Sequence, residues 1–251
     1  MNKMKNKKVI LLSLVFLVLI MLVVGFYACD NKDTYTIKGK LKGGENKFLV
    51  LMDLKGETPI LVDTIFLSSS GKFSKKEVLK EKSLFILQAD GNNYITISPN
   101  KNDKIKIEGE YKDFASNYKI KGSKDSENLQ LLAQRRIKFN EDFITFQKQY
   151  NQATGDQKRF LFREYSLRSK QAFEKEKQFL TQYIKDNEGE LSTIIALYTE
   201  LLGQPIFSIE KDEAIYNQVL YGLEKTLPNN PNTLKIKTFL NNYKESNQIS
   251  K

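Results

Sequence analysis

The spacing of apolar residues changes abruptly at Gly122, and this change limits what the chain can fold into. Before Gly122, short segments of β-forming residues alternate or run apolar between turn residues, which is typical of strands. After it, apolar residues recur three or four positions apart, which indicates amphipathic helices. The sequence therefore predicts an α+β fold, with a β-domain at 35–121 followed by a helical domain at 122–251.

Eight strands are predicted in the first part, separated by turn residues such as Gly43-Gly44 and Ser70-Gly71. They lie at 35–41, 48–53, 60–67, 71–78, 84–89, 94–98, 104–108 and 118–121. Many short strands at this spacing are typical of an antiparallel β-sandwich or an open barrel.

About five helices are predicted in the second part, and the first two form an antiparallel hairpin. Ser126 and Asp156 are the expected N-caps of this pair, and Asn230 with Pro231 starts the last helix. The third and fourth helices are expected at 192–202 and 208–227. The apolar face of the first helix consists of Leu129, Leu132, Arg136, Phe139, Phe143, Phe146 and Tyr150. That of the second consists of Phe162, Tyr165, Ala172, Phe179 and Tyr183, and that of the fifth of Leu234, Ile236, Phe239, Leu240 and Tyr243.

We expect these helical aromatic residues to form a core, because Phe and Tyr at helical spacing are usually buried. Gly122 and its polar neighbours also predict a protease-sensitive link between the two parts, at 121–126.

The N-terminal residues form a targeting leader. Four lysines and no acid occur in MNKMKNKK, and an apolar run at 9–25 follows. A basic segment before an apolar one is typical of a secretory signal peptide, and Ala28 before Cys29 resembles the cleavage site of a lipoprotein signal peptidase. The sequence therefore predicts a signal peptide at 1–28, a diacylglycerol on the sulfur of Cys29 and a polar tether at 29–34.

An uncleaved membrane anchor is the alternative interpretation of the leader. Residues 9–28 would extend about 30 Å as a helix, which matches the core of a bilayer. The lysines would then stay on the cytoplasmic side. Both interpretations place residues 30–251 outside the cytoplasm.

The residues needed for most catalytic and metal chemistry are missing from the composition. One cysteine allows neither an internal disulfide nor a CxxC motif, and no histidine is present to bind a metal or to act as a general base. Neither GxGxxG nor GxxxxGK[ST] occurs, and acidic neighbours such as Glu141 and Asp142 lack a calcium loop around them. We therefore predict no catalytic residue, no cofactor and no metal site; a hydrolase that uses only carboxylates is the remaining enzymatic alternative.

The chain has a basic net charge, but its lysines are interspersed with acids along the sequence. The formal net charge is +10, and the four leader lysines leave +6 for the remainder. Lysines alternate with acids in segments such as KKEVLKEK, which is typical of a solvated mixed-charge surface. We expect no nucleic-acid partner and no lipopolysaccharide patch.

Two motifs are the most specific pieces of the first part: VDTIFLSSSGKF at 62–73 and KGSKDSEN at 121–128. Together with TYTIKGKLKG, LVLMDL and ISPNKNDKIKIEGEYKDF, they make residues 34–131 resemble the β-domain of domain-of-unknown-function family 4369. In that family the domain typically begins Bacteroidetes envelope lipoproteins, where a helical segment and a thioredoxin-like domain follow. The resemblance implies an envelope location and a β-then-helix architecture.

The chain departs from this family at its C-terminus. It stops at Lys251, where relatives enter the thioredoxin-like domain with its CxxC, so no catalytic position carries over. We expect a lipid-anchored envelope protein, in the outer membrane or alternatively the inner one, that acts as a non-catalytic binding or scaffolding module for another envelope protein. The alternative function is that of a non-catalytic partner of a separate thioredoxin-like thiol–disulfide oxidoreductase.

Overall fold

The structure is a computed structural model, and it describes residues 33–55 and 58–249. The predicted signal peptide, Cys29 and most of the tether lie outside these residues. Thr34–Lys251 form one compact unit, in which two four-stranded sheets are followed by five helices within the described part.

The eight long strands form two sheets that pack face to face. Sheet A has the order β4-β1-β7-β8 and sheet B the order β3-β2-β5-β6. Their bounds are β1 Thr34–Lys42, β2 Phe48–Asp53, β3 Ile60–Phe66, β4 Lys72–Val78, β5 Phe85–Asp90, β6 Asn93–Ile97, β7 Lys104–Glu110 and β8 Tyr118–Lys121. The predicted α+β class, with sheets that do not close into a barrel, is confirmed.

The pairing of β1 with β7 is parallel, whereas the other pairs in both sheets are antiparallel. The expectation of purely antiparallel sheets is therefore wrong at this pair. Neighbouring antiparallel strands need only a tight turn, but β1 and β7 come together after the chain has built the whole of sheet B. Gly39 lies in this pair, where a Cβ atom would approach the carbonyl oxygen of Ile107 to 1.8 Å.

The inner faces of the two sheets form one apolar core. Period-two alternation points Ile37 and Leu41 of β1, and Leu49 and Leu51 of β2, into this core, where they are fully buried. At the edges β3 and β4, an ion pair between Lys75 and Asp63 spans the two sheets.

The helices are α1 Lys124–Gln152, α2 Gly155–Asp186, α3 Ser192–Leu197, α4 Ile209–Thr226 and α5 Pro231–Ile249. Two short strands, β9 Glu200–Leu201 and β10 Gln204–Pro205, separate α3 from α4. The prediction of a third helix as far as 202 is wrong, because the left-handed φ angles of Leu202 and Gly203 build the turn between these strands. Among the described residues, no helix combines the length and apolar character needed to cross a bilayer.

Two predicted N-caps are displaced by a few residues. The caps are Ser123 and Thr154 rather than Ser126 and Asp156. Ser126 lies one turn inside α1, where its hydroxyl donates to Ser123 Oγ and accepts from the backbone N–H of Ser98. This serine therefore bonds to the strand that the helix packs on instead of capping the helix.

The helices dock at one end of the sandwich. α1 packs on β6 and β8, and the Gln130 side chain bonds the backbone N–H of Ile120 and carbonyl of Tyr118, so that it continues the free edge of β8. The predicted protease-sensitive link lies in this contact. Ser123, Asp125 and Ser126 are all buried, as expected for a packed joint and not for a mobile linker.

A buried ionic cluster ties the same joint together. The Asp125 carboxylate is fully buried; its Oδ1 accepts from Ser192 N–H at 3.2 Å and its Oδ2 lies 3.4 Å from Lys82 Nζ. Lys82, in the loop before β5, also pairs with Glu190, and Asn230 Nδ2 donates to its carbonyl at 2.7 Å. One lysine of the β-region thereby contacts three separate parts of the helical region.

Only part of the predicted helical core is buried. Leu129, Leu132, Tyr183, Ile236 and Leu240 are buried, and Tyr165 and Phe179 are half-buried. Side chains predicted to lie on apolar faces but exposed in the structure are Arg136, Phe162, Leu234 and Phe239. For Phe162 the reason is architectural: the distal part of the α1–α2 pair is a two-helix hairpin, and two helices bury only the stripe between them. Leu234 and Phe239 are on α5, where Ile236 and Leu240 form the buried side.

Candidate functional site

The outer face of sheet B carries a contiguous set of uncharged side chains, and Asp90 at the end of β5 is its one acid among the described strand residues. We call this set the uncharged face. On β2, β5 and β6 its members alternate with residues that point into the core, whereas Leu61 of β3 lies beside a register shift and has exposed neighbours on both sides. The members are Phe48, Val50 and Met52 of β2; Leu61, Thr64 and Phe66 of β3; Ile86 and Gln88 of β5; and Tyr94 and Thr96 of β6.

The strand register shows that these residues are contiguous. One row across the sheet is Thr64–Val50–Gln88–Tyr94, and a second is Leu61–Met52–Ile86–Thr96. Phe48 pairs with Phe66 beside the first row, and their ring centroids are 6.4 Å apart in an edge-to-face arrangement. A third row lies between these two rows but points to the opposite side of the sheet. It consists of Leu51, Leu87 and Ile95, which are buried in the core.

The uncharged face is exposed to a degree that is unusual for apolar side chains. Phe66 is 75% exposed, Leu61 64%, Phe48 47% and Tyr94 40%. If a fully exposed ring side chain presents ~200 Å², the three rings alone expose about 300 Å². An apolar patch of about this size matches the largest patch of a typical monomer, and such patches often serve a function.

The outer face of sheet A has the opposite character. We call it the lysine face. Its exposed lysines are Lys38, Lys40, Lys42, Lys72, Lys76, Lys104, Lys106, Lys119 and Lys121. The acids on this face are Glu108 and Glu110, so the formal net charge of the face is +7.

The lysines of this face lower the pKa of its one exposed acid, Glu108. The pKa of Glu108 is lowered, first by the hydrogen bond and charge of Lys106 at 2.6 Å and then by the charges of Lys119 and Lys121. The expectation of a uniformly mixed charge therefore does not describe this face. The acids interspersed in the sequence point elsewhere.

The α1–α2 hairpin carries a third feature, a cleft of about 360 Å³ between its two helices. Phe146 stacks on Tyr165 there, with ring centroids 3.6 Å apart, and Phe143 contacts the same ring in a tilted arrangement with centroids 5.7 Å apart. The hydroxyls of Tyr165 and Ser169 are buried in this cleft without a hydrogen-bond partner among the described residues. The cleft is thus of mixed character, because Asp142, Gln149 and Arg168 line it beside the aromatic rings.

The carboxylates that come closest to an acid–base pair are Asp63 and Glu77, which share Lys75 at the edge between β3 and β4. Hydrogen bonding to Lys75 lowers the pKa of Asp63, whereas burial raises the pKa of Glu77. Opposite shifts can mark an acid–base pair, but ion-pair networks produce them too. Here the side chain of Lys75 links β4 to Asp63 of β3 and so joins the two sheets, which gives this trio a structural explanation.

The structure says nothing of Cys29, the one site residue predicted from the sequence, because it lies outside the described residues. Within the described ranges, no three His, Cys, Asp or Glu side chains are grouped so as to hold a metal ion. Sequence reasoning missed both outer faces. The signal was available as Lys38-x-Lys40-x-Lys42 in β1 and Phe48-x-Val50-x-Met52 in β2.

Comparison with known proteins identifies the β-region. Residues 35–129 match the family model described as Domain of unknown function (DUF4369), from β1 to the first fully packed turn of α1. The chain therefore contains this domain, and the family resemblance inferred from the sequence motifs is confirmed. No curated protein and no solved structure matches the chain.

Proposed function

We propose, on the premise that residues 35–129 form a DUF4369 domain, that this chain is a membrane-anchored binding module without catalytic activity of its own. The uncharged face is the observation that carries the proposal. Its partner is another envelope protein with an apolar, weakly charged surface. The basic-then-apolar leader and the lone Cys29 support a lipid anchor as the attachment to the membrane.

Burial energetics support binding over a purely structural role for this face. Each exposed Phe or Leu would contribute about 1.5 to 3 kcal/mol if a partner covered it fully, yet contributes little to folding while it faces water. The centre of a protein interface is typically depleted in charge and rich in aromatic residues, as this face is. A charged surface on the partner would instead lose its hydration without gaining an ion pair.

The edge position of β3 adds a second route for the same contact. Within the described residues β3 pairs on one side with β2, and it exposes Leu61 and Phe66 beside its other edge. A partner strand can add to such an edge through backbone hydrogen bonds while its side chains cover the neighbouring face. A partner can therefore use both the face and the edge.

The anchor is tested on the purified full chain. Cys29→Ser should prevent leader cleavage and incorporation of labelled fatty acid, whereas the wild-type protein should show the mass of a diacylglyceryl-modified Cys29 N-terminus. An intact Met1 on the mature wild-type protein would favour the uncleaved helix and contradict lipidation.

The binding face is tested by site-specific photo-crosslinking in intact cells. A photoreactive amino acid at Phe66 should give one discrete adduct with a different protein, and the same probe at Lys38 of the lysine face should not. Leu61→Lys, combined with the Phe66 probe, should reduce the adduct at least about tenfold, because a lysine would be desolvated in the contact. Adducts of equal yield at Phe66 and Lys38, or a Phe66 adduct with twice the mass of this chain, would contradict the proposal.

The identity of the adduct also separates the two functional alternatives. A thioredoxin-like protein in the adduct would favour the role of a non-catalytic partner in thiol–disulfide exchange. The chain alone should then still fail to reduce insulin, because exchange needs an attacking thiolate and a resolving thiol. Turnover above the blank, beside a thioredoxin control, would contradict a non-catalytic module.

A further inference from the structure

We propose that the lysine face lies on the anionic headgroups of the membrane, so that sheet A faces the lipid surface and the uncharged face of sheet B points away from it. This proposed orientation rests on the proposed function, in which Cys29 carries the lipid anchor. It adds to that function the sheet that faces the membrane and the class of lipid that it contacts.

Three cross-strand pairs in sheet A bring like charges together: Lys40 with Lys72, Lys38 with Lys106, and Lys106 with Lys121. Glu108, opposite Lys40 and Lys119, and Glu110, opposite Lys42, offset part of this repulsion. Like charges directly opposite each other on a sheet destabilise it. An anionic surface laid against this face would relieve the repulsion of all three pairs together, which explains why the face carries them.

The shape of the face fits a planar anionic surface. All nine lysines are exposed, and they occur on every strand of sheet A. Long lysine side chains can reach phosphates while the backbone stays above the headgroup layer. A basic surface of this kind is attracted to anionic lipid with a strength that grows with each lysine within a Debye length.

The position of β1 connects this face to the anchor. β1 begins at Thr34 and carries Lys38, Lys40 and Lys42 on the lysine face. The five residues that separate Cys29 from Thr34 can span at most about 18 Å. A lipid on Cys29 would therefore hold the first strand of sheet A close to the headgroups, whereas sheet B lies on the far side of the sandwich core.

The experiment measures lysine acetylation by mass spectrometry on the full chain, purified in detergent and reconstituted into vesicles. One set of vesicles contains phosphatidylcholine alone, and the other contains equal parts of phosphatidylcholine and phosphatidylglycerol. We expect the lysine face to be acetylated at least about fivefold more slowly on the anionic vesicles. Exposed Lys170 and Lys211 of the helical region should be acetylated equally on both.

A matched pair of double variants tests the cause. Lys38→Gln with Lys40→Gln should remove most of the protection of the other seven lysines, whereas Lys170→Gln with Lys211→Gln should leave it unchanged. Raising the salt concentration should abolish the protection, because screening shortens the range of the attraction.

Equal acetylation of the lysine face on both kinds of vesicle would overturn the proposal. Equal protection of Lys170 and Lys211 would overturn it too, since it would indicate unspecific adsorption. Protection on phosphatidylcholine vesicles that appears only with added heparin or an oligonucleotide would assign the face to an anionic polymer instead of lipid. The crosslinking at Phe66 and the mass of the N-terminus are independent readouts, so failure here is distinguishable from failure of the proposed function.

Discussion

The two sheets of this domain have the same inner face and opposite outer faces. Both bury Ile, Leu and Phe in one core, yet the outer face of sheet A carries nine lysines, whereas that of sheet B carries a single acid, Asp90, among the described strand residues. Residues that face inward are selected by packing, so the two inner faces resemble each other. Residues that face outward are free to differ, and the two proposals above assign these two faces to different surroundings.

The helices make this comparison possible because they cover neither face. α1 docks at the end of the sandwich, on β6 and β8, through Ser126, Gln130 and the buried Asp125. A helix packed across sheet B would have buried the uncharged face and turned it into core. The predictions below test whether stability, docking and charge are divided in this way.

The largest expected difference in the free energy of unfolding is between substitutions at two adjacent residues of β3 that point to opposite faces. Ile65 is buried in the core, so Ile65→Ala should lower the free energy of unfolding by about 3 kcal/mol. Phe66 is exposed, so Phe66→Ala should change it by less than about 0.5 kcal/mol. Urea denaturation followed by circular dichroism measures both; a loss at Phe66 as large as that at Ile65 would mean that the uncharged face is part of the core.

The next prediction concerns the contact between α1 and the end of the sandwich, where Lys82 pairs with the buried Asp125. Lys82→Met removes the cation that lies 3.4 Å from the buried Asp125 carboxylate and should destabilise the protein by about 3 kcal/mol. It should also expose the backbone at 121–126 to trypsin, which should leave this segment intact in the wild-type protein. The double variant Lys82→Met with Asp125→Asn should recover part of the loss. Rapid cleavage of the wild-type protein at 121–126 would show that the joint is a mobile linker after all.

A smaller effect of opposite sign is expected on the lysine face. Lys38→Thr removes the repulsion with Lys106 directly opposite and should stabilise the protein by about 0.5 kcal/mol at low salt. The gain should shrink as salt is added, and Lys38→Arg, which keeps the charge, should give none. Thermal unfolding at two salt concentrations measures it, and a destabilisation by Lys38→Thr would argue against net repulsion on this face.

The smallest effect concerns the edge where the two sheets meet. Hydrogen bonding to Lys75 lowers the pKa of Asp63, so this carboxylate stabilises the fold above its unfolded pKa, and the contribution is lost as pH falls through the lowered value. Lys75→Met should move the pKa of Asp63 back up toward its ordinary range and flatten the dependence of stability on acidic pH. A carbon-detected NMR titration of Asp63 measures this change in pKa, and Lys72→Met on the outer face is the control. If both variants changed the pKa of Asp63 equally, the ion pair with Lys75 would not be the cause of the lowered pKa.

Local patterns were enough to predict most of the elements. The eight strands at 35–121 were located to within a few residues, because alternating β-formers and glycine turns are local signals, and the DUF4369 motifs agreed with them. Turn chemistry also gave the start of α5 at Pro231. The N-cap of α1 was misplaced because Ser126 is an equally good local candidate, and only the packing of Ser98 against it decides its role.

What the sequence alone determined is the order of elements and, through the period of two, which residues share a side of each strand. It did not determine which side of β2 faces water, because Phe48, Val50 and Met52 are as apolar as the buried Leu49 and Leu51 beside them. Nor did it determine that the lysines of β1, β4, β7 and β8 share one face, because strand order and the parallel β1–β7 pair depend on contacts between distant residues. Hydrophobicity is a property of each residue, but exposure is a property of the neighbours that the tertiary structure brings to it.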